Sequence, residues 1–193
     1  NGNKIQAHIQ RLKNALSAHT SDYRIHYAVK ANSHLQIQKL VYDEGAYADC
    51  VSPIECRMAL KAGLPKEKVL FTGTSVSNSD LEDLVELGVR INIDSTSQLR
   101  RLARISTKPE LSVRWNPGEG AGAGLHSHTI TAGKYIKFGI PEHKVLDTFR
   151  EAHELGFNLV GLHQHIGSGW LGDDVRIFHD SVKRTLDVAA EAQ

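Results

Sequence analysis

Part of a (β/α)8 barrel is the fold class this sequence predicts, an α/β architecture of about six βα units. Three observations predict it. Six strand-length apolar runs alternate with amphipathic segments almost without interruption. The repeat length is even. Nearly every strand candidate also ends on a polar residue: Lys30, Asp49, Thr72, Asp94, Asn116 and His165. In a barrel those ends converge on one mouth, where the chemistry of that fold is placed. A doubly wound parallel sheet is the other architecture that βα alternation allows. A full barrel needs eight units. The chain opens without Met and stops inside the helix-like run Thr185–Gln193, so residues 1–193 are expected to be one barrel domain truncated at both ends.

In chain order, the strand candidates are Arg24–Ala31, Tyr47–Ser52, Lys68–Thr72, Arg90–Asp94, Glu110–Asn116 and Asn158–His165. Apolar residues recur at helical spacing between and after them: Ile37/Leu40/Val41, Leu81/Leu84/Val85, Val145/Phe149/Ala152 and Val175/Phe178/Val182/Leu186. Ser79 with Glu82, and Ser95 with Gln98, have capping-box spacing and predict helix starts. Pro141 suits a first helical turn, where its missing N–H costs nothing. Gly45, Gly63, Gly88 and Gly156 fall where helices end and a left-handed residue is wanted. The exception to short connections is Pro117–Ile140, which holds six glycines with His126 and His128. Loops of that length in compact domains are usually functional.

Composition narrows the function classes. Lys and Arg number 23 against 22 Asp and Glu, and the charges are interspersed. No basic stripe therefore favours nucleic acid or anionic lipid. No apolar run approaches the roughly 20 residues of a membrane span, and no signal peptide opens the chain. Two cysteines, Cys50 and Cys56, do not make a disulfide framework, and a reducing cytoplasm is expected. No G-x-G-x-x-G joins a strand to a helix, so nucleotide sites are not supported.

Three runs carry candidate chemistry. In Tyr27-Ala28-Val29-Lys30-Ala31-Asn32, strand alternation sends Lys30 away from Tyr27 and Val29. Inside a barrel mouth that lysine loses hydration, which favours a neutral amine that attacks carbonyls; spacing alone favours a strand-end lysine in solvent, since most lysines are exposed. Gly161-Leu162-His163-Gln164-His165-Ile166-Gly167-Ser168-Gly169 delivers two histidines to a strand end followed by a Gly-Ser-Gly turn. Such a turn offers N–H groups and a hydroxyl to phosphate, and an imidazole lies flat on an aromatic ring. His-x-His on a strand shares one face, as zinc ligands require, but no third ligand at matching spacing completes a metal site. Third, Arg114 in Val113-Arg114-Trp115-Asn116-Pro117-Gly118 either binds an anion or pairs with a carboxylate.

Together, YAVKAN, ADCVSPIE, INIDS, VRWNPG, KFGI and GLHQHIGSG, in this order and spacing, resemble the alanine-racemase-like barrel decarboxylases that use pyridoxal 5'-phosphate (PLP). These are the ornithine, diaminopimelate and arginine decarboxylase family, and the HIGSG run with its Gly/His loop looks most like the diaminopimelate branch. The resemblance runs from about Arg24 to Trp170. It implies that Lys30 carries PLP covalently, that His165 stacks on the pyridine ring, and that Gly167 and Ser168 contact the phosphate side. It places Asp49 near the cofactor's bond to the lysine and makes Glu55 and Arg114 a supporting polar pair. One departure falls in the loop, where Ala132-Gly133 stands in place of the family's more usual Gly-Gly.

The same resemblance implies a ring-nitrogen acid and phosphate loop from later barrel strands, a separate C-terminal β domain, and a site across a homodimer interface. None of these lies within the 193 residues. The expected function is decarboxylation of a diamino acid, diaminopimelate to lysine first among them, with the isolated chain inactive. Ornithine, lysine or arginine as substrate, racemisation, and a non-catalytic homologue are the alternatives.

Overall fold

Short apolar strands and the glycine-ended helices between them build two sets of parallel βα units, seen in a computed structural model that describes residues 1–118, 123–124, 132–133, 136–168 and 174–192. Residues 1–73 with 79–91 form one compact unit, and residues 74–78 with 92–193 form a second.

The first unit contains α1 (Gly2–Ser17), β1 (His26–Ala28), α2 (Leu35–Asp43), β2 (Tyr47–Cys50), α3 (Pro53–Lys61), β3 (Val69–Phe71), most of α4 (Asn78–Leu87) and the start of β4 (Arg90–Ile93). Ala28 registers with Asp49, Asp49 with Leu70, and Phe71 with Ile91, all in parallel. Val41, Ala48, Cys56, Phe71, Leu81 and Leu84 are buried, so the helices lay their apolar stripes on the strands. Burying one such side chain contributes about 1.5–3 kcal/mol.

The second unit holds the end of β4, α5 (Thr96–Ala103), β5 (Glu110–Asn116), β6 (Ala123–Gly124), β7 (Ile140–Pro141), α6 (Glu142–Glu154), β8 (Asn158–His163), β9 (Gly167–Ser168) and α7 (Asp174–Glu191). β5 pairs in parallel with β8 from Glu110↔Asn158 to Arg114↔His163, and its last two residues pair with β7. Side chains on β5 alternate between two faces. Leu111, Val113 and Trp115 are buried on one face, and the Arg184 guanidinium of α7 lies 5.9 Å from the Trp115 ring. Ser112, Arg114 and Asn116 occupy the other face, and they too are buried.

The expected α/β class and its six principal parallel strands are present. The four helix-ending glycines all adopt positive φ, between 65° and 101°. The Ser95 hydroxyl accepts the Gln98 N–H, as its spacing predicts. Ser79, however, lies inside α4, which already begins at Asn78. Pro141 precedes α6 as its cap, one residue earlier than expected. A cap with no forecast is Ser52, whose hydroxyl accepts the Glu55 N–H at 3.2 Å while Glu55 accepts the Val51 N–H at 2.8 Å.

The largest correction concerns Lys30. β1 ends at Ala28, and Val29–Ala31 fold into a 3-10 turn. The Asn32 N–H donates to the Val29 carbonyl at 3.1 Å, and the Tyr27 hydroxyl donates to the Asn32 carbonyl at 2.9 Å. These contacts turn the chain where alternation alone extends it. Lys30 is exposed, where the expectation had it buried in a barrel mouth.

Candidate active site

Within the second unit, period-two alternation places Asn92 and Asp94 of the β4 end, Ser112, Arg114 and Asn116 of β5, and His163 of β8 into one polar stripe. Contacts confirm the shared face. Ser112 Oγ donates to Asn92 Oδ1 at 2.9 Å, and Asn92 Nδ2 lies 3.1 Å from His163 Nδ1. One layer further along the strands, Arg114 Nη1 is 3.4 Å from Asp94 Oδ1. The two side chains are only 8% and 7% exposed, which makes this a desolvated ion pair rather than a surface one.

Asp94 is the hub of that layer. Thr74 Oγ1 donates to its Oδ2 at 2.6 Å, and the Gly139 N–H donates to its Oδ1 at 3.0 Å. The Phe138 ring covers the Arg114 guanidinium at 4.7 Å, so a carboxylate and an aromatic face fix the planar fork. Asn116 ties down both flanks of the long connection. Its Oδ1 accepts the N–H groups of Gly118 and Gly133, and its Nδ2 donates to the Gly133 carbonyl. His126, His128, Gly120 and Gly122 lie outside the described residues.

Gly139 makes this closure possible. Its φ is +78°, and a Cβ there stands 3.0 Å from the Trp115 carbonyl carbon and 3.2 Å from the Asn116 nitrogen. Both are backbone atoms of a buried strand and cannot move aside. Gly139→Ala is therefore expected to destabilise the chain by about 1–3 kcal/mol from backbone strain alone, read as a lower urea midpoint. An unchanged midpoint would show that this turn has freedom the geometry denies it.

His163 is pushed down to about 3, by burial first and then by the positive charge of Arg114 and by His165. The folded imidazole is thus neutral, while an unfolded histidine titrates near 6.5. Between those values the unfolded chain binds a proton that the folded chain refuses, so stability falls as pH drops from about 6.5 towards 3. Comparing urea midpoints from pH 7 to 4, the wild type is expected to lose more stability than His163→Gln. Parallel pH profiles for the two proteins would count against a buried neutral imidazole.

His165 lies just past β8, partly buried, and its Nδ1 accepts the Gly167 N–H at 3.3 Å. Gly167 has φ +121° and pairs through β9 with Ala123 of β6. The Ser168 backbone pairs with Gly124, while its side chain lies outside the described residues. Arg114, His163, His165 and Gly167 thus share the β5/β8 region. In the first unit, Lys30 follows β1 two residues beyond Ala28, the register partner of Asp49 on β2, so these two candidates also share a strand pair. Asp49 is half-buried. Glu55 serves as a cap on α3 in the first unit, and in the second Arg114 pairs with Asp94.

Sequence reasoning gave no site role to Asn92, Ser112 or Thr74, and noticed Asp94 only as a polar strand end. A signal was available in the polar residues two apart on β4 and β5.

Residues 2–193 match the pyridoxal binding domain of the pyridoxal-dependent decarboxylases. The chain belongs to this family. Among curated relatives, the diaminopimelate decarboxylase of Methanothermobacter thermautotrophicus is 41% identical over 96% of this chain and 43% of its own length. That of Thermoplasma acidophilum is 33% identical over 86% of this chain and 39% of its own. Among solved structures, a Helicobacter pylori diaminopimelate decarboxylase variant complexed with L-lysine superposes with a TM-score of 0.87 at 30% identity, covering all of this chain and 49% of that one. This pyridoxal-dependent family member thus spans less than half the length of the relatives it matches. The superposition is that expected of part of a barrel domain.

PLP is the family's cofactor, and the residues present fit it. An anionic, flat aldehyde needs a primary amine, a planar ring and N–H or cationic donors. Groups of these kinds are present as Lys30 in the first unit and as His165, the turn at Gly167 and the guanidinium of Arg114 in the second. His163 Nε2 has no hydrogen-bond partner among the described residues. No helix among them is long and apolar enough to cross a membrane.

Proposed function

We propose that this chain is the PLP-binding barrel domain, residues 1–193, of an enzyme that decarboxylates a diamino acid, with diaminopimelate giving lysine as the preferred reaction. The observation that carries the proposal is the polar stripe buried on β4 and β5 and continued by His163 of β8, leading to His165 and Gly167, in a chain that matches a pyridoxal binding domain over residues 2–193. Diaminopimelate is favoured over ornithine or arginine because the curated relatives, up to 41% identical, are named for it.

Bound PLP supplies an electron sink for the pair released when the bond between Cα and the carboxylate breaks. Lys30 holds the cofactor through its amine, and Asp49 offers a carboxylate near that amine. The His165 imidazole provides a flat surface for the ring, its tilt set by the Gly167 N–H at Nδ1. Gly167 and Ser168 serve the phosphate side. Arg114, held by Asp94 and Phe138, keeps one orientation and a fixed positive field, so little reorganisation is needed when charge develops.

A role in lysine biosynthesis, action in the cytoplasm and assembly as a homodimer belong to the same proposal; the free, buried Cys50 and Cys56 suit a reducing compartment. The test combines PLP titration of this chain with a substrate panel on the longer protein. PLP binding by the chain, with CO2 release from diaminopimelate well above that from ornithine, lysine or arginine, supports the proposal. Preference for another diamino acid would replace the substrate, and racemisation without CO2 release would replace the reaction. The isolated chain is expected to bind PLP without measurable turnover.

A further inference from the structure

The first histidine of the His-x-His pair, His163, is given no contact with the cofactor in the function proposed above, yet its surroundings are unusually determined. Ser112 Oγ sits at Asn92 Oδ1, which leaves the Asn92 amide nitrogen facing His163 Nδ1 at 3.1 Å. An amide nitrogen only donates, so Nδ1 must accept and the ring proton must reside on Nε2. Asn92 and Ser112 are themselves buried, at 1% and 7% exposure, so water does not readily compete for these bonds. Nε2 has no partner among the described residues, and His163 is the register partner of Arg114, with His165 near enough to act on its charge.

We infer that His163 presents a fixed Nε2–H donor for an oxyanion of bound pyridoxal phosphate, its tautomer locked by the Ser112–Asn92 relay. This rests on the proposed PLP-binding function and adds a cofactor-binding residue to it. A donor locked in this way needs no rotation or tautomer exchange on binding, and the nearby guanidinium favours an anionic acceptor. The acceptor belongs either to the phosphate or to the ring hydroxyl, which share the chemistry of a negatively charged oxygen.

The tautomer is read directly by long-range proton–nitrogen correlation on this chain with 15N-labelled histidine, using His163→Gln to identify the His163 signals. The expected spectrum at pH 7 shows a protonated Nε2 and an unprotonated Nδ1, and saturating PLP shifts the Nε2 resonance. Parallel titrations with pyridoxal and with inorganic phosphate locate the acceptor. A shift with pyridoxal points to the ring oxygen, and a shift with phosphate alone points to the phosphate. His163→Gln, which keeps a donor at that reach, is expected to hold PLP within about threefold of wild type. His163→Asn keeps only the group facing Asn92 and is expected to lose at least about tenfold, in line with a hydrogen bond to a charged group.

A proton on Nδ1 overturns the inference without any ligand. PLP binding that leaves the His163 signals unmoved overturns it while the proposed function stands. If the chain binds no PLP, the proposed function fails first, and the donor assignment goes with it.

Discussion

Replacing Lys30 with Ala is expected to abolish covalent retention of PLP by this chain. After reduction with borohydride, the wild-type protein should carry the cofactor's added mass on Lys30 and the variant none. The lysine amine is the group that forms a carbon–nitrogen bond with an aldehyde, and side chains that stack or hydrogen-bond do not replace it. Apparent PLP affinity should fall by about two orders of magnitude or more, the scale of a lost covalent link set against surviving non-covalent contacts. Lys30 is presented by a turn that the Asn32 N–H and the Tyr27 hydroxyl close, and Ala at position 30 keeps both contacts, so the variant should fold. Reduced adduct on a different lysine of the wild type would remove Lys30 from this role.

The second large effect is expected at Asp94. Asp94→Ala takes the carboxylate from a guanidinium that is 8% exposed and removes the acceptor for Thr74 Oγ1 and the Gly139 N–H. Breaking a buried ion pair by deleting one partner typically costs about 3–5 kcal/mol, because the remaining charge stays desolvated. Asp94→Asn keeps an oxygen for Gly139 but loses the charge, and should fall between Ala and wild type. Urea denaturation measures both. A loss below about 1 kcal/mol for Asp94→Ala would mean that Arg114 reaches water or another anion, and the ordered guanidinium proposed above would be lost with it.

Residue patterns conveyed much of the fold. The run Glu110–Asn116 is a strand over the span its alternation indicates, and Val145, Phe149 and Ala152 fall on one helix. Both follow from local periodicity, a property of neighbouring residues. The failures share a different cause. Tyr27-Ala28-Val29-Lys30 has the alternation of a strand, yet the turn at Val29 is made by bonds to Asn32. Lys30 therefore left the strand, and its expected desolvation went with it. Arg114 was legible as a cation at a strand end, but its carboxylate partner lies twenty positions earlier.

Taken alone, the amino-acid order determined the parallel βα class, the helix ends and the residue types that suit a pyridoxal cofactor, since short-range sterics and hydrophobic periodicity govern each of them. Only the tertiary structure decided that Asp94 gathers Thr74, Arg114 and Gly139, that the Ser112–Asn92 pair meets His163 Nδ1, and that burial keeps this imidazole neutral. Those pairings join residues 20 to 71 positions apart. Burial gives them their strength, and burial exists only once the strands have come together.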